Sequence, residues 1–289
     1  MIFSSIEIHN LGSIKRLYRE FEKDLNLMCG YCSKELSYAI RLLSNSTPPP
    51  LCKIEAGARA RIKAKVEIAQ ELYTVVAIPR KRGGGFTLTC LDEGGENVTR
   101  EYLHLTAHSA EQNFSETFDG RSDGVPFRLL KYKNEDFYYC KEELSALTDG
   151  VSRLKSFRSY LNSYIKDFRP VLLRQGKPYE AVLGAGGKCY LRCTVDGKEE
   201  EAISECEKTI ISYLCFLYTT EFWHGFEKLR NLHCVRKPLV ISNLLERMDE
   251  SADVTDLLNR TRDLRRQAFI FATCDERGTQ DERQATTPH

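Results

Sequence analysis

Leu25-Asn26-Leu27-Met28-Cys29-Gly30-Tyr31-Cys32-Ser33-Lys34-Glu35-Leu36-Ser37 runs on into Tyr38-Ala39-Ile40-Arg41-Leu42-Leu43. The run opens as a short apolar strand, turns at Gly30 and continues as a helix with Leu36, Ala39, Ile40 and Leu43 on one face. A strand, a glycine turn and a helix N-terminus make the layout of a phosphate-binding loop, in which main-chain amides point at an anion. The loop chemistry requires G-x-x-x-x-G-K-[ST]. Counted from Gly30, the second glycine falls on Glu35 and the lysine on Leu36. Ser37 alone keeps the expected type, the hydroxyl that holds magnesium. Gly30, Ser33, Lys34 and Ser37 are therefore the residues of a dismantled nucleotide pocket.

Outward from this run, alternation dominates. Ile6 and Ile8 alternate with Glu7 and His9, Ile14–Phe21 forms a second strand, and 45–50 (Asn-Ser-Thr-Pro-Pro-Pro) stops the helix. Ala60, Ile62, Ala64, Val66 and Ile68 face one way, and Arg61, Lys63, Lys65 and Glu67 the other. Leu72–Ile78 and Phe86–Cys90 continue an antiparallel meander through a glycine-rich hairpin that carries Arg80, Lys81 and Arg82. The basic face reads as a solvated strand surface, or as a contact for a phosphate backbone. Tyr102–Phe118 is expected to be helical, and Val151–Phe168 has apolar residues at helical spacing. Tyr179–Leu183 and Lys188–Val195 read as a hairpin. A long helix follows from Ala202 to Leu232, with Ser204 as N-cap and Glu207 completing a capping box. Pro238–Ile241 and Ala268–Ala272 are buried strands flanking a helix over Val254–Arg265, and the polar tail after Asp275 has a disordered composition.

Composition bounds the function. The 289 residues are 42% hydrophobic and 29% charged, which is globular, and a net charge of +1 gives no global field toward nucleic acid or membrane. Met1–Ser5 leads straight into alternating residues without a signal-peptide pattern, and the apolar run near Ile210–Tyr218 is about half of what crosses a bilayer. With 11 scattered cysteines, reduced thiols in the cytoplasm are expected.

The order of elements resembles the ATPase head of the SMC/RecF group of ABC-type ATPases. Four stretches carry the likeness. Ile6-Glu7-Ile8-His9-Asn10-Leu11-Gly12-Ser13-Ile14 is similar to the opening strand and turn, and Phe21–Gly30 to the strand entering the phosphate loop. Ala202–Lys208 stands where the group has its LSxGEK signature: Ser204, Glu207 and Lys208 agree, and Cys206 replaces glycine. Pro238–Asp249 is similar to the Walker B strand and D-loop, with Asp249 as the D-loop aspartate. The resemblance implies a mixed α/β, ABC-ATPase-like head with an N-terminal antiparallel meander, helices and a C-terminal lobe with buried strands. The expected divisions are an N-terminal lobe over 1–140, a helical insert over 141–178, a C-terminal lobe over 179–275 and a tail from 276.

The departures fall on the chemistry. Ser242 and Asn243 stand where the group has its metal-binding aspartate and catalytic glutamate, and Cys274 stands where it has its switch histidine. Phosphoryl transfer depends on lysine and magnesium to neutralise charge. The resemblance with four such losses implies a catalytically inactive, ATPase-fold protein that binds or assembles, with DNA repair as its setting. ATP with magnesium is the ligand class, and no cofactor or metal is assigned. The partners implied are a second copy or an active homologue meeting the Ser204–Lys208 face, a nuclease, or DNA; a membrane is not expected.

Rival readings stay open: a divergent active ATPase using Ser37 and Asp249, a thiol redox protein using Cys29 and Cys32, or a nucleic-acid binder using Arg61, Lys63, Lys65, Arg80, Lys81 and Arg82. Cys29/Cys32 with Cys189/Cys193 would supply four thiolates to zinc, but the fold reading gives the pairs no reason to meet. His104 and His108 read as surface residues, and Trp223 as core or interface.

Overall fold

A computed structural model describes residues 1–30, 32–44, 56–80, 85–106, 117–120, 173–174, 177–183, 189–193, 195–200, 235–248 and 254–272. It also describes 204–206, 209–210, 213–214, 216–217 and 220, helical in conformation from Glu205 onward. In chain order the elements begin with β1 (Ile2–Leu11), β2 (Ile14–Glu20), β3 (Leu25–Cys29) and α1 (Ser33–Leu43). There follow β4 (Ala56–Ile68), β5 (Glu71–Pro79), β6 (Phe86–Leu91), α2 (Thr99–Leu105) and β7 (Thr117–Asp119). The short strands β8 (Leu173–Arg174), β9 (Lys177–Leu183), β10 (Cys189–Cys193) and β11 (Glu199–Glu200) come next. The chain closes with β12 (Leu239–Ser242), a 3-10 turn over Leu245–Arg247, α3 (Val254–Asp263) and β13 (Ala268–Ala272).

The chain divides into two compact units, one of residues 1–107, 235–246 and 266–289, the other of 108–234 and 247–265. The first unit returns the C-terminal strands β12 and β13 to the N-terminal elements. Its antiparallel sheet runs in the order β2-β1-β4-β5-β6. The alternation in β4 dictates its two faces: Ile62, Ala64 and Val66 are 0–1% exposed, whereas Arg61 and Lys65 lie in solvent. β13 pairs in parallel with β3 on one side and β12 on the other. Both faces of β13 are buried from Ala268 to Phe271, so it reads as a continuous apolar run.

Helix α1 fills the space between these sheets. Leu36, Ala39, Ile40 and Leu43 join one core with Ile6, Ile8, Ile62 and Val75 of the antiparallel sheet and with Met28, Val240 and Phe269 of the parallel one. The C-terminal end of α1 is held by Tyr102, fully buried in α2, whose hydroxyl donates to the Leu43 carbonyl. That carbonyl is among those a helix leaves without an internal partner.

The second unit contains the antiparallel order β11-β10-β9-β8. In its helical residues Ile210, Leu214 and Leu217 are buried as the sequence periodicity predicts, and Tyr213 and Phe216 are buried beside them. The Tyr213 hydroxyl lies 2.6 Å from Thr261 Oγ1 of α3. The expected helix over Tyr102–Phe118 is corrected. Helix α2 starts earlier, at Thr99, where Asn97 Oδ1 accepts from the Thr99 amide, and it ends at Leu105; Phe118 lies in strand β7. Phe118 packs its ring 5.1 Å from Tyr213 and 5.5 Å from Phe216, and this burial overrides a weak local helix preference. The expected helix at 151–168, Trp223 and the tail after 275 lie outside the described residues.

Candidate functional site

The parallel register brings Met28, Phe271 and Ser242 level across β3, β13 and β12, with Cys29 level with Ala272 one step further. The carboxyl ends of the three strands therefore form one edge, the place where open α/β sheets bind ligands. Only residues 30–32 separate the end of β3 from the start of α1 at this edge. Gly30 takes φ +122°, a conformation that L side chains avoid, and its carbonyl accepts from the Ser33 amide at 3.3 Å and from Ser33 Oγ at 2.7 Å. Ser33 Oγ also lies 3.4 Å from the Ala272 carbonyl, which ties the helix start to β13. Cys32 is the N-cap of α1 and supplies no side-chain cap. Lys34 is exposed at the second helical position, and Ser37 is half-buried at the fifth, beyond the first turn.

Across β13, Ser242 is the last residue of β12, and Asn243 follows with φ +58°. The Asn243 amide donates to the Phe271 carbonyl at 3.3 Å. Asparagine tolerates this left-handed conformation better than most residues. The edge thus gathers Gly30, Ser33, Lys34, Ser242 and Asn243, none of which offers the carboxylate that a metal site would need. Cys29 is exposed at the same edge, whereas Cys90 is buried and burial pushes its thiol up to about 12. Among the described residues no three His, Cys, Asp or Glu side chains cluster to hold a metal ion.

The sequence reading misses one contact at this edge. Glu35, at the third position of α1, is 8% exposed and turns toward the β1–β2 hairpin. Its Oε1 accepts from the Ser13 amide at 3.0 Å and from Ser13 Oγ at 2.8 Å. Gly12 makes the approach feasible: a Cβ there would stand 2.5 Å from Oε1. Gly12-Ser13 is visible in the sequence as a turn and Glu35 as a residue out of pattern, but nothing local links positions 22 apart.

The other candidates lie elsewhere. Cys274, Glu207, Lys208, Asp249, Lys81, Arg82 and His108 fall outside the described residues, as do the side chains of Cys189 and Cys193. Ser204 is exposed in the second unit, where neighbouring Glu205 pairs with Arg247 at 3.0 Å. His104 is exposed on α2, and Arg80 is exposed immediately after β5.

Arg61, Lys63 and Lys65 line the outer face of the antiparallel sheet. Register places Arg16, His9 and Arg61 in one row and Tyr18, Glu7 and Lys63 in the next. The hydrogen bond from His9 at 2.8 Å lowers the Glu7 carboxyl below its ordinary value, with Lys63 and Arg16 adding to the effect. Tyr18 stands 61% exposed on this face.

Solved structures share this arrangement of sheets and helix. The SMC head domain from Thermotoga maritima superposes with a TM-score of 0.53 over 96% of this chain and 90% of that one, at 12% identity. This is the fold of an SMC head domain. The recombination mediator RecF, solved with ATP, aligns over 95% of this chain and 94% of its own at a TM-score of 0.49 and 12% identity. No protein-family profile and no curated protein matches the sequence. No helix among the described residues is long and apolar enough to cross a membrane.

Proposed function

We propose that this chain is a head-fold protein without ATP hydrolysis, working as a binding or assembly subunit, with DNA repair or processing as its setting. The observation that carries the reading is the edge itself: a buried glutamate at the start of α1 and the pair Ser242–Asn243 at the end of β12. Phosphoryl transfer needs cationic groups and a metal to offset the charge of the reacting phosphates. A carboxylate beside the helix N-terminus opposes that need, and a serine with an asparagine offers no strong metal ligand. The partner favoured by the head fold is a protein, either a second copy or an active homologue, with a nuclease as a further candidate. The test is equilibrium binding of ATP with and without magnesium, followed by turnover on the same sample. Turnover at or below the buffer background is expected. Turnover above it that disappears in Ser37→Ala would overturn the reading and restore the divergent ATPase.

A second reading concerns the outer sheet face. Arg16, Arg61, Lys63 and Lys65 stand in neighbouring register positions, with Tyr18 exposed among them. Clustered cations and an aromatic platform suit a nucleic-acid backbone and an unstacked base. Binding of a single-stranded oligonucleotide should weaken steeply with salt. The double variant Arg61→Ala, Lys65→Ala should lower the log–log salt slope by about 1.4, roughly 0.7 for each lost phosphate contact on a single strand. An unchanged slope would remove this face from consideration.

A further inference from the structure

We propose that Glu35 is a built-in anion: its carboxylate takes the donors that the β1–β2 turn would otherwise offer a phosphate and stands in the first turn of α1, so the loop excludes polyphosphate. The inference rests on the reading of the chain as a head without hydrolysis, and it names the residue that closes the site. Three observations carry it. The Ser13 amide and hydroxyl both donate to Glu35 Oε1, at 3.0 and 2.8 Å, so these two anion donors are already engaged. Glu35 is 8% exposed and its Oε2 is buried with no hydrogen-bond partner among the described residues, so an unpartnered acceptor oxygen occupies the site. Gly12, at φ +56°, leaves the volume that the carboxylate fills; a Cβ at this position would stand 2.5 Å from Oε1.

The physical consequence is direct. The first-turn amides of a helix lack internal acceptors and carry the positive end of the helix dipole. In a phosphate loop that end is satisfied by the ligand. In this chain a carboxylate three positions into the helix offsets it permanently, and a second anion alongside would meet repulsion with little water to screen it. The count from Gly30 puts Glu35 where the phosphate loop has its second glycine, the residue that lets the backbone approach the phosphate.

The probe is inorganic triphosphate, followed by calorimetry on the full chain. Wild type should show no saturable binding, and Glu35→Gln, which keeps the acceptor for Ser13 and the volume but removes the charge, should gain affinity by less than Glu35→Ala. Glu35→Ala should bind triphosphate at least about tenfold more tightly than wild type, since it frees an anion cradle at a helix N-terminus. A folded Glu35→Ala protein with no gain overturns the proposal, as does a gain in Glu35→Gln equal to that in Glu35→Ala. Hydrogen exchange of the Ser13 amide in wild type provides a reading that needs no variant. Its protection should be unchanged by millimolar triphosphate, and a change would mean that the anion reaches the cradle with Glu35 in place. ATP turnover by wild type would instead overturn the underlying reading, so the two failures are separable.

Discussion

Phe269→Ala is expected to lower the unfolding free energy by about 3–5 kcal/mol, read as a fall in the urea midpoint at unchanged slope. Phe269 is fully buried at the second position of β13. Its ring meets Phe21 edge-on with centroids 4.9 Å apart and Phe3 at 6.3 Å, and it stacks with Phe271 at 6.5 Å. These partners come from β1, from the segment after β2 and from β13 itself. Truncation would therefore open a cavity that no single element can close by shifting. The loss combines the transfer of the ring to solvent with the cost of the void. The edge-on geometry adds to it, because aromatic pairs of this kind contribute beyond their buried area. A loss below about 1 kcal/mol would show that the site collapses freely, and that the strand is not the keystone its packing indicates.

Gln267→Leu is expected to cost about 3 kcal/mol, chiefly by stranding buried main-chain groups. Gln267 is 2% exposed immediately before β13. Its Oε1 accepts from the Phe3 amide at 2.7 Å, and its Nε2 donates at 2.8 Å to the carbonyls of both Phe3 and Glu22. The pairing of β1 with β4 slips between Phe3 and Ser5, so the amide side chain serves main-chain groups beside an irregular step in the ladder. Leucine matches glutamine in size but offers neither donor nor acceptor. The substitution Gln267→Glu makes a sharper comparison. An ionised carboxylate would face two carbonyls, so Gln267→Glu should be less stable than Gln267→Leu at neutral pH. Burial among acceptors raises the folded-state pKa of such a carboxyl. The stability of this variant should therefore recover as pH falls through that raised value, when the protonated acid donates again. Chemical denaturation of the two variants at neutral and acidic pH measures both effects, and equal stability of the wild type and both variants would sink the account.

Much of the fold is legible residue by residue. Strand β13 has the bounds read from its apolar run, Ala268–Ala272, because a strand buried on both faces needs no alternation to be recognised. The inward set of β4 and the four apolar positions of α1 follow from periods of two and 3.6, which are backbone properties. The motif reading puts Ser242 and Asn243 at the end of a buried strand, and they stand there. Phe118 goes the other way: its partners Tyr213 and Phe216 lie about a hundred positions along the chain, and local preference cannot see them. The return of β12 and β13 to the N-terminal unit has the same origin, since parallel pairing joins strands far apart in sequence. The sequence by itself determined which helix and strands surround the loop, because those depend on local periodicity. Only the tertiary structure decided that Glu35 is drawn into the β1–β2 turn, because that contact requires Gly12, Ser13 and the first turn of α1 to be brought within hydrogen-bonding distance by packing on a shared core.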